Sequence, residues 1–400
     1  MKILHVITQL AEFLGDAGQL VNISRQLNEL GHEVTIITTD GDYFFADKES
    51  SKRYSERKKE LEKACKNPIL INNVKVTAIH CSMPSIGMYC PNAKKIANDM
   101  VKEFDVIHVF SWYNHICMEF AKAAKQNKVP YFITTWASLN PGAKKIKKKR
   151  KMLMDLLYSN NLIKDASGLH SIGESETKAY LKMGAKEERI HRIDNGVILE
   201  NFKITEKIDI FKKFGVKKNT PYILYLGRID EKKGIEILLE SFKEIKQMFP
   251  ETILVLAGFG NDEYVQKIKK LVKKLSLEKV VRITGYVTEQ EKLECYKHAQ
   301  IFTLTSKDDI RPRAVQDALT MGIPVLITEN CDYPEVEEYN AGRIVKFNKK
   351  DVEKNMIEML QNKNELLNQS ENAKKLINEK FLLYVQIKKY DKMYKNALGA

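Results

Sequence analysis

Short apolar runs alternate with amphipathic stretches along most of this chain. Residues 2–7 open it as an apolar, β-rich run. A loop holding Gly15 and Gly18 follows, then helical periodicity from about Gln19 to Leu30, a stop at Gly31 and a second β-rich run over 34–38. Further runs of the strand type lie at 74–80, 105–109, 129–135, 165–171, 222–226, 253–257, 281–287, 302–305 and 325–328. Helical patterns stand between them, as at 114–126, 175–183 and 291–298. Apolar strands alternating with helices predict an α/β chain with parallel sheets. The pattern fades between Asp40 and Asn73, where 48–66 is charged enough to be a solvated helix or a mobile loop.

Residues 305–328 read as strand, loop, helix, turn and strand. Pro312 suits a first helical turn, where its missing N–H is no loss. Ala314, Val315, Ala318 and Leu319 recur at helical spacing, Gly322 stops the helix and Pro324 prevents its return. Asp308, Asp309 and Arg311 are thus expected on a loop at the carboxyl end of a strand, with Asp317 one to two turns into the next helix. Ligands of open α/β sheets bind at that edge. Tyr222 to Leu226, the turn at Gly227 and the apolar stripe Ile235, Leu238, Leu239, Phe242 and Ile245 form a second such unit, with Arg228 at the strand's end.

A length of 400 residues is too much for one ordinary domain and comfortable for two. No apolar run reaches the roughly 18 residues that suggest a membrane span. The first residues turn polar too soon for a signal peptide, so a cytoplasmic protein is expected. Six scattered cysteines without a C-x-x-C pair predict free thiols, with neither disulfide nor zinc. A net charge of +14 favours acidic partners. It concentrates in 143–163, read as a long helix, where seven of the eight residues from Lys144 to Lys151 are basic. That run is either a solvated face or an anion-binding edge, for phospholipid head groups at the inner face of the membrane or for an acceptor phosphate. It carries no interleaved aromatic platforms, which argues against nucleic acid.

The run D-I-R-P-R-A-V-Q-D-A, with seven residues between Asp309 and Asp317, resembles the E-x7-E signature of the family-4 retaining glycosyltransferases. Aspartate replaces both glutamates and Ile310 replaces a glycine. Arg228 and Lys233 match that family's G-R-x4-K-G, and Gly258 falls in its L-x-I-x-G-x-G. Residues 189–202, with Asn195-Gly196, are similar to its interdomain linker, and 381–398 to its last helix, which crosses back to the first domain. The resemblance implies a GT-B fold, two doubly wound Rossmann-like domains facing across a cleft. The acceptor side is 1–200 plus 382–400, and the nucleotide-sugar side is 201–381.

The implied reaction moves a sugar, with retention and without a metal or other cofactor, from a UDP- or GDP-linked donor to a glycan or lipid-linked hydroxyl. Arg228 and Lys233 would stabilise the leaving diphosphate through a bidentate guanidinium and a point charge. Asp309 would hold sugar hydroxyls and Asp317 the ribose. Backbone near Tyr286 and Val287 would meet the base. Gly15, Gly18 and Gly258 allow close backbone approach to the donor. Arg311 and Arg313 complete the donor-side set. Trp136 stands where the family places a histidine, and offers an apolar face for a sugar ring instead. Two rivals stay open: a glycosidase, which also uses paired acids, and a GT-B protein that binds nucleotide or glycan without turnover.

Overall fold

The computed structural model describes residues 1–11, 15–41, 48–84, 88–136, 138–139, 151–152 and 160–399. The basic run expected to form a helix falls almost wholly outside them. The chain divides into two units, Met1–Gly196 with Leu383–Ala400, and Val197–Leu382.

In the first unit the strands are β1 (Lys2–Ile7), β2 (Glu33–Thr39), β3 (Ile69–Ile71), β4 (Val74–Ile79), β5 (Val106–Phe110), β6 (Tyr131–Thr134), β7 (Gly168–Ser171) and β8 (Ile190–Arg192). They lie in the order β3-β4-β2-β1-β5-β6-β7-β8, parallel except for β3. Strand order reverses between β1 and β5, as in doubly wound sheets. Alternate residues feed two cores: Leu4, Val6, Ile107, Val109 and Ile133 on one face, Ile7, Ile36, Val76 and Phe110 on the other.

The weak stretch before Asn73 resolves into the helix Lys48–Ala64 and the hairpin β3–β4. Its two-residue turn is Asn72-Asn73, at φ +48° and +61°. Asparagine tolerates that left-handed region, and a tight turn with both residues there matches the twist of the strands it joins.

Three strands carry a buried histidine, His5 on β1, His108 on the adjacent β5 and His170 on β7, with Thr134 of β6 between the last two. The helix Leu383–Leu398 covers them. His170 Nε2 lies 2.7 Å from the Ile193 carbonyl, so that nitrogen bears the proton. Its Nδ1 then accepts from Thr134 Oγ1, which accepts from His108 Nε2, both at 2.7 Å. His108 Nδ1 accepts from the Tyr394 hydroxyl at 2.7 Å. His5 reaches Ser24 Oγ at 2.7 Å and the same tyrosine at 3.3 Å. This polar ladder ties the last helix to the sheet through neutral rings. The histidine inside each apolar run is the sequence signal for it, and sequence reasoning passed over it.

The second unit contains β9 (Tyr222–Leu226), β10 (Ile253–Ala257), β11 (Val281–Gly285), β12 (Ile301–Leu304), β13 (Val325–Thr328) and β14 (Gly342–Val345), all parallel, ordered β11-β10-β9-β12-β13-β14. The reversal falls between β9 and β12. Val255, Leu224, Phe302 and Leu326 are fully buried, which is why these strands read as unbroken apolar runs. Among the described residues, no helix is long and apolar enough to cross a membrane.

Candidate active site

Two loops meet where the strand order of the second unit reverses. One follows β9 and runs through the short turn Glu231–Lys233 to the helix Ile235–Met248. The other follows β12 and leads into the helix Arg313–Thr320. Lys307 N donates to the Lys232 carbonyl at 2.7 Å, Ser306 Oγ to the same oxygen at 3.0 Å, and Thr305 Oγ1 to the Gly234 carbonyl at 2.9 Å. Gly234 sits at φ +64°, and a Cβ there would collide with the Thr305 carbonyl oxygen. The close loop contact therefore requires glycine.

This stitching brings Lys233 and Asp309 together: the ammonium pairs with the Asp309 carboxylate, and the two side chains keep 13% and 16% of their exposure. Arg228 leaves the end of β9 with an exposed side chain that forms no ion pair among the described residues. Beneath it, Tyr225 donates its hydroxyl to the Arg228 carbonyl. Burial pushes the Tyr225 hydroxyl pKa far up; Asp309 adds to the effect and Arg228 opposes it. The phenol therefore stays a donor.

Asp317 faces another cation. Its Oδ2 lies 3.3 Å from Lys292 Nζ, and Lys292 is also 2.7 Å from Glu289 Oε2. Burial alone would lower the lysine pKa, but Asp317 and Glu289 outweigh it and hold it above the ordinary value. Sequence reasoning missed Lys292, since one lysine on a helix of a lysine-rich chain carries no local signal. The loop after β11 carries Tyr286 and Val287, both half-buried, and leads into the helix Glu289–Lys297 through a capping box at Thr288.

Other expected site residues are placed differently. Arg311 is a correction: its guanidinium is buried, bonded bidentately to Glu335 at 2.8 Å and stacked 4.7 Å from the Tyr333 ring centre. At φ +48° its backbone turns the side chain inward, so it supports the loop rather than holding a donor. Breaking such a pair leaves a carboxylate uncompensated. Arg311→Leu should therefore cost about 3 kcal/mol of stability and leave the nucleotide Kd of the folded protein within about twofold. A large Kd change at unchanged stability would restore a direct role.

Arg313 is the first residue of its helix and half-buried. At Gly258, φ is +139° and a Cβ would strike the Gly227 carbonyl oxygen, so the neighbouring strand end alone demands glycine there. In the first unit, Gly15 and Gly18 are not loop residues. They lie in the first turn of the helix Gly15–Glu29, which begins four residues earlier than Gln19. A first turn still offers unpaired N–H groups. Trp136 stands two residues past β6 at φ +43°, half-buried, its ring centre 5.2 Å from that of Phe110. A cavity of about 930 Å³, lined by Asp230, Asn261, Tyr264 and Lys267 among others, opens beside this site; Arg228, Lys233, Asp309 and Asp317 do not line it.

Residues 206–376 match the family description "Glycosyl transferases group 1", and residues 17–201 match "Glycosyltransferase Family 4". Mannosylfructose-phosphate synthase of Agrobacterium fabrum is 30% identical over 155 residues, 36% of this chain and 34% of that protein. The amylovoran biosynthesis glycosyltransferase AmsK of Erwinia amylovora is 28% identical over 170 residues, 40% of this chain and 39% of that protein. The match thus spans little more than a third of either relative. Among solved structures, Anabaena HepE in complex with UDP and glucose superposes with a TM-score of 0.75 at 17% identity, over 99% of this chain and 100% of that one. Sucrose-phosphate synthase from Thermosynechococcus elongatus gives 0.72 at 15% identity, over 100% and 99%. These likenesses establish the fold as GT-B, with two Rossmann-like domains.

Proposed function

Since the chain belongs to the group 1 glycosyl transferases, with a family 4 amino-terminal half, we propose that it transfers a sugar from a UDP- or GDP-linked donor to a hydroxyl of a glycan or lipid-linked acceptor. The transfer retains anomeric configuration and needs no metal. The observation that carries this reading is the meeting of Lys233 and Asp309 at the β9/β12 reversal, with Arg228 exposed beside them.

When the anomeric bond breaks, new negative charge develops on the departing diphosphate. Arg228 can give it two hydrogen bonds and Lys233 a point charge, both from rigid loop ends. Asp309, already oriented by Lys233, accepts from sugar hydroxyls and fixes the ring rather than attacking it. Asp317 accepts from the ribose, and the Tyr286–Val287 loop meets the base. The relatives named for amylovoran and mannosylfructose-phosphate synthesis support a saccharide product.

Melting temperatures with UDP, GDP and a panel of their sugars test the donor side, since a ligand at 100 times its Kd adds about 2.7 kcal/mol. Donor hydrolysis without acceptor, and the anomer of any product by NMR, test turnover and retention. The Lys233–Asp309 pair also favours a second reading, binding without turnover, because a carboxylate held by lysine is less free for a sugar. Tight nucleotide binding with no hydrolysis across the panel would select it.

Trp136 gives a further check. Trp136→Phe should keep most activity, because a second ring still packs on Phe110, whereas Trp136→Ala should lose it while staying folded. A lower melting temperature with intact activity per folded molecule would make Trp136 a packing residue alone.

A further inference from the structure

Lys292 has no role in the transfer as described, yet it stands against Asp317. The two come from different helices, Glu289–Lys297 and Arg313–Thr320, and both side chains reach solvent, at 20% and 13% exposure. Asp317 is a short acid with one oxygen, Oδ2, already engaged. Its other oxygen accepts no hydrogen bond among the described residues. An ammonium has three N–H groups, and two of those on Lys292 are directed at Asp317 and Glu289. One free acceptor and one free donor therefore lie side by side. They stand beside the loop expected to meet the base and one helix past the loop that holds Asp309.

Resting on the nucleotide-sugar reading above, we infer that Lys292 and Asp317 together read the two vicinal hydroxyls of the nucleotide's ribose, Asp317 accepting from one and Lys292 donating to the other. A carboxylate with both oxygens free can take both hydroxyls as donors. Here the lysine holds one of those oxygens, so the second hydroxyl turns its lone pair to the ammonium. Each hydroxyl of a diol can donate or accept, so the diol adapts to a mixed pair. The ammonium stays charged at neutral pH, because its two carboxylate neighbours favour the protonated form. This assigns Lys292 as a binding residue that selects ribose over deoxyribose.

Calorimetric titration of the full chain with UDP and GDP, and with their 2′-deoxy and 3′-deoxy counterparts, tests the pair. Wild type should prefer the ribonucleotide to at least one deoxy form by about tenfold or more, since a hydrogen bond to a charged group is lost. Lys292→Met should weaken ribonucleotide binding by about tenfold and leave the affinity for that deoxy form unchanged, so that the preference collapses. Lys292→Gln, which keeps an N–H donor, should recover part of it. Melting curves of each variant confirm folding.

If Lys292→Met weakens ribo and deoxy forms equally, the lysine merely supports the helix pair and the inference is overturned. Equal binding of UDP or GDP and both deoxy forms by wild type overturns it too, with the nucleotide-sugar reading intact. Failure of wild type to bind any of these nucleotides removes that reading, and the ribose assignment with it.

Discussion

Arg228→Ala should raise the Kd for UDP or GDP by about 10- to 100-fold, the loss expected for hydrogen bonds to a charged group. Turnover should fall further, by about two to three orders of magnitude, because the guanidinium meets charge that develops only as the glycosidic bond breaks. The variant should fold normally. The Arg228 side chain is exposed and makes no ion pair among the described residues, so its removal uncovers no buried partner. The backbone it leaves is fixed independently, since Ile229 N donates to the Phe259 carbonyl at 2.7 Å and the Tyr225 hydroxyl holds the Arg228 carbonyl. Arg228→Lys separates charge from shape. It should recover part of the binding but little of the rate, as an ammonium cannot make the paired contact. Unchanged nucleotide affinity in Arg228→Ala would remove the clamp from this site.

Acid should unfold the first unit steeply, through the three histidines under the last helix. Burial lowers the His5 pKa to about 3 and that of His170 to about 4. His108 is driven well below the ordinary 6.5, by burial first and then by its neighbours His5 and His170. The unfolded chain binds these protons near pH 6.5 and the folded one does not. Their stabilisation is therefore complete above about pH 6.5 and lost as pH falls from there towards 4 and 3. Each histidine adds about 1.4 kcal/mol per pH unit within that window, so three together approach about 4 kcal/mol per unit.

The groups hydrogen-bonded to the three rings carry no compensating charge; the carboxylates Glu176 and Asp194 act on Tyr390, behind them. Ser24, Thr134, Tyr390 and Tyr394 are neutral, and burial holds both tyrosine hydroxyls protonated. Denaturant unfolding at pH 7.5, 6 and 5 should show this slope, and His5→Gln should reduce it by about a third. A flat profile between pH 7 and 5 would mean that the unit unfolds without taking up these protons.

Most of the architecture was legible in the chain itself. β10 and β13 fall on the residues that the apolar runs marked, because a parallel strand buried on both faces must be apolar at nearly every position. The loop after β12 and the helix behind Pro312 followed from local chemistry, as proline, glycine and helical spacing act within a few residues of themselves. The family's motifs were legible for the same reason: each is a short loop held by one strand end. The hairpin β3–β4 was missed although Asn72-Asn73 announces it, because its strands are short and lie beside a charged helix.

What each side chain meets was decided by the tertiary structure. Lys233 finds Asp309 across 76 residues only because β9 and β12 are neighbours in the sheet. Arg311 read as a ligand-binding cation until the fold set Glu335 and Tyr333 against it. Lys292 and Asp317, 25 residues apart, meet where the helices Glu289–Lys297 and Arg313–Thr320 approach each other, with the Tyr296 hydroxyl donating to the Ala314 carbonyl at 3.0 Å. The histidine ladder needs four strands and the returning last helix at once, joining residues as far apart as His5 and Tyr394. Periodicity and turn chemistry are local quantities and can be read from neighbours. A charge's partner depends on strand order and helix packing, which no stretch of this sequence carries by itself.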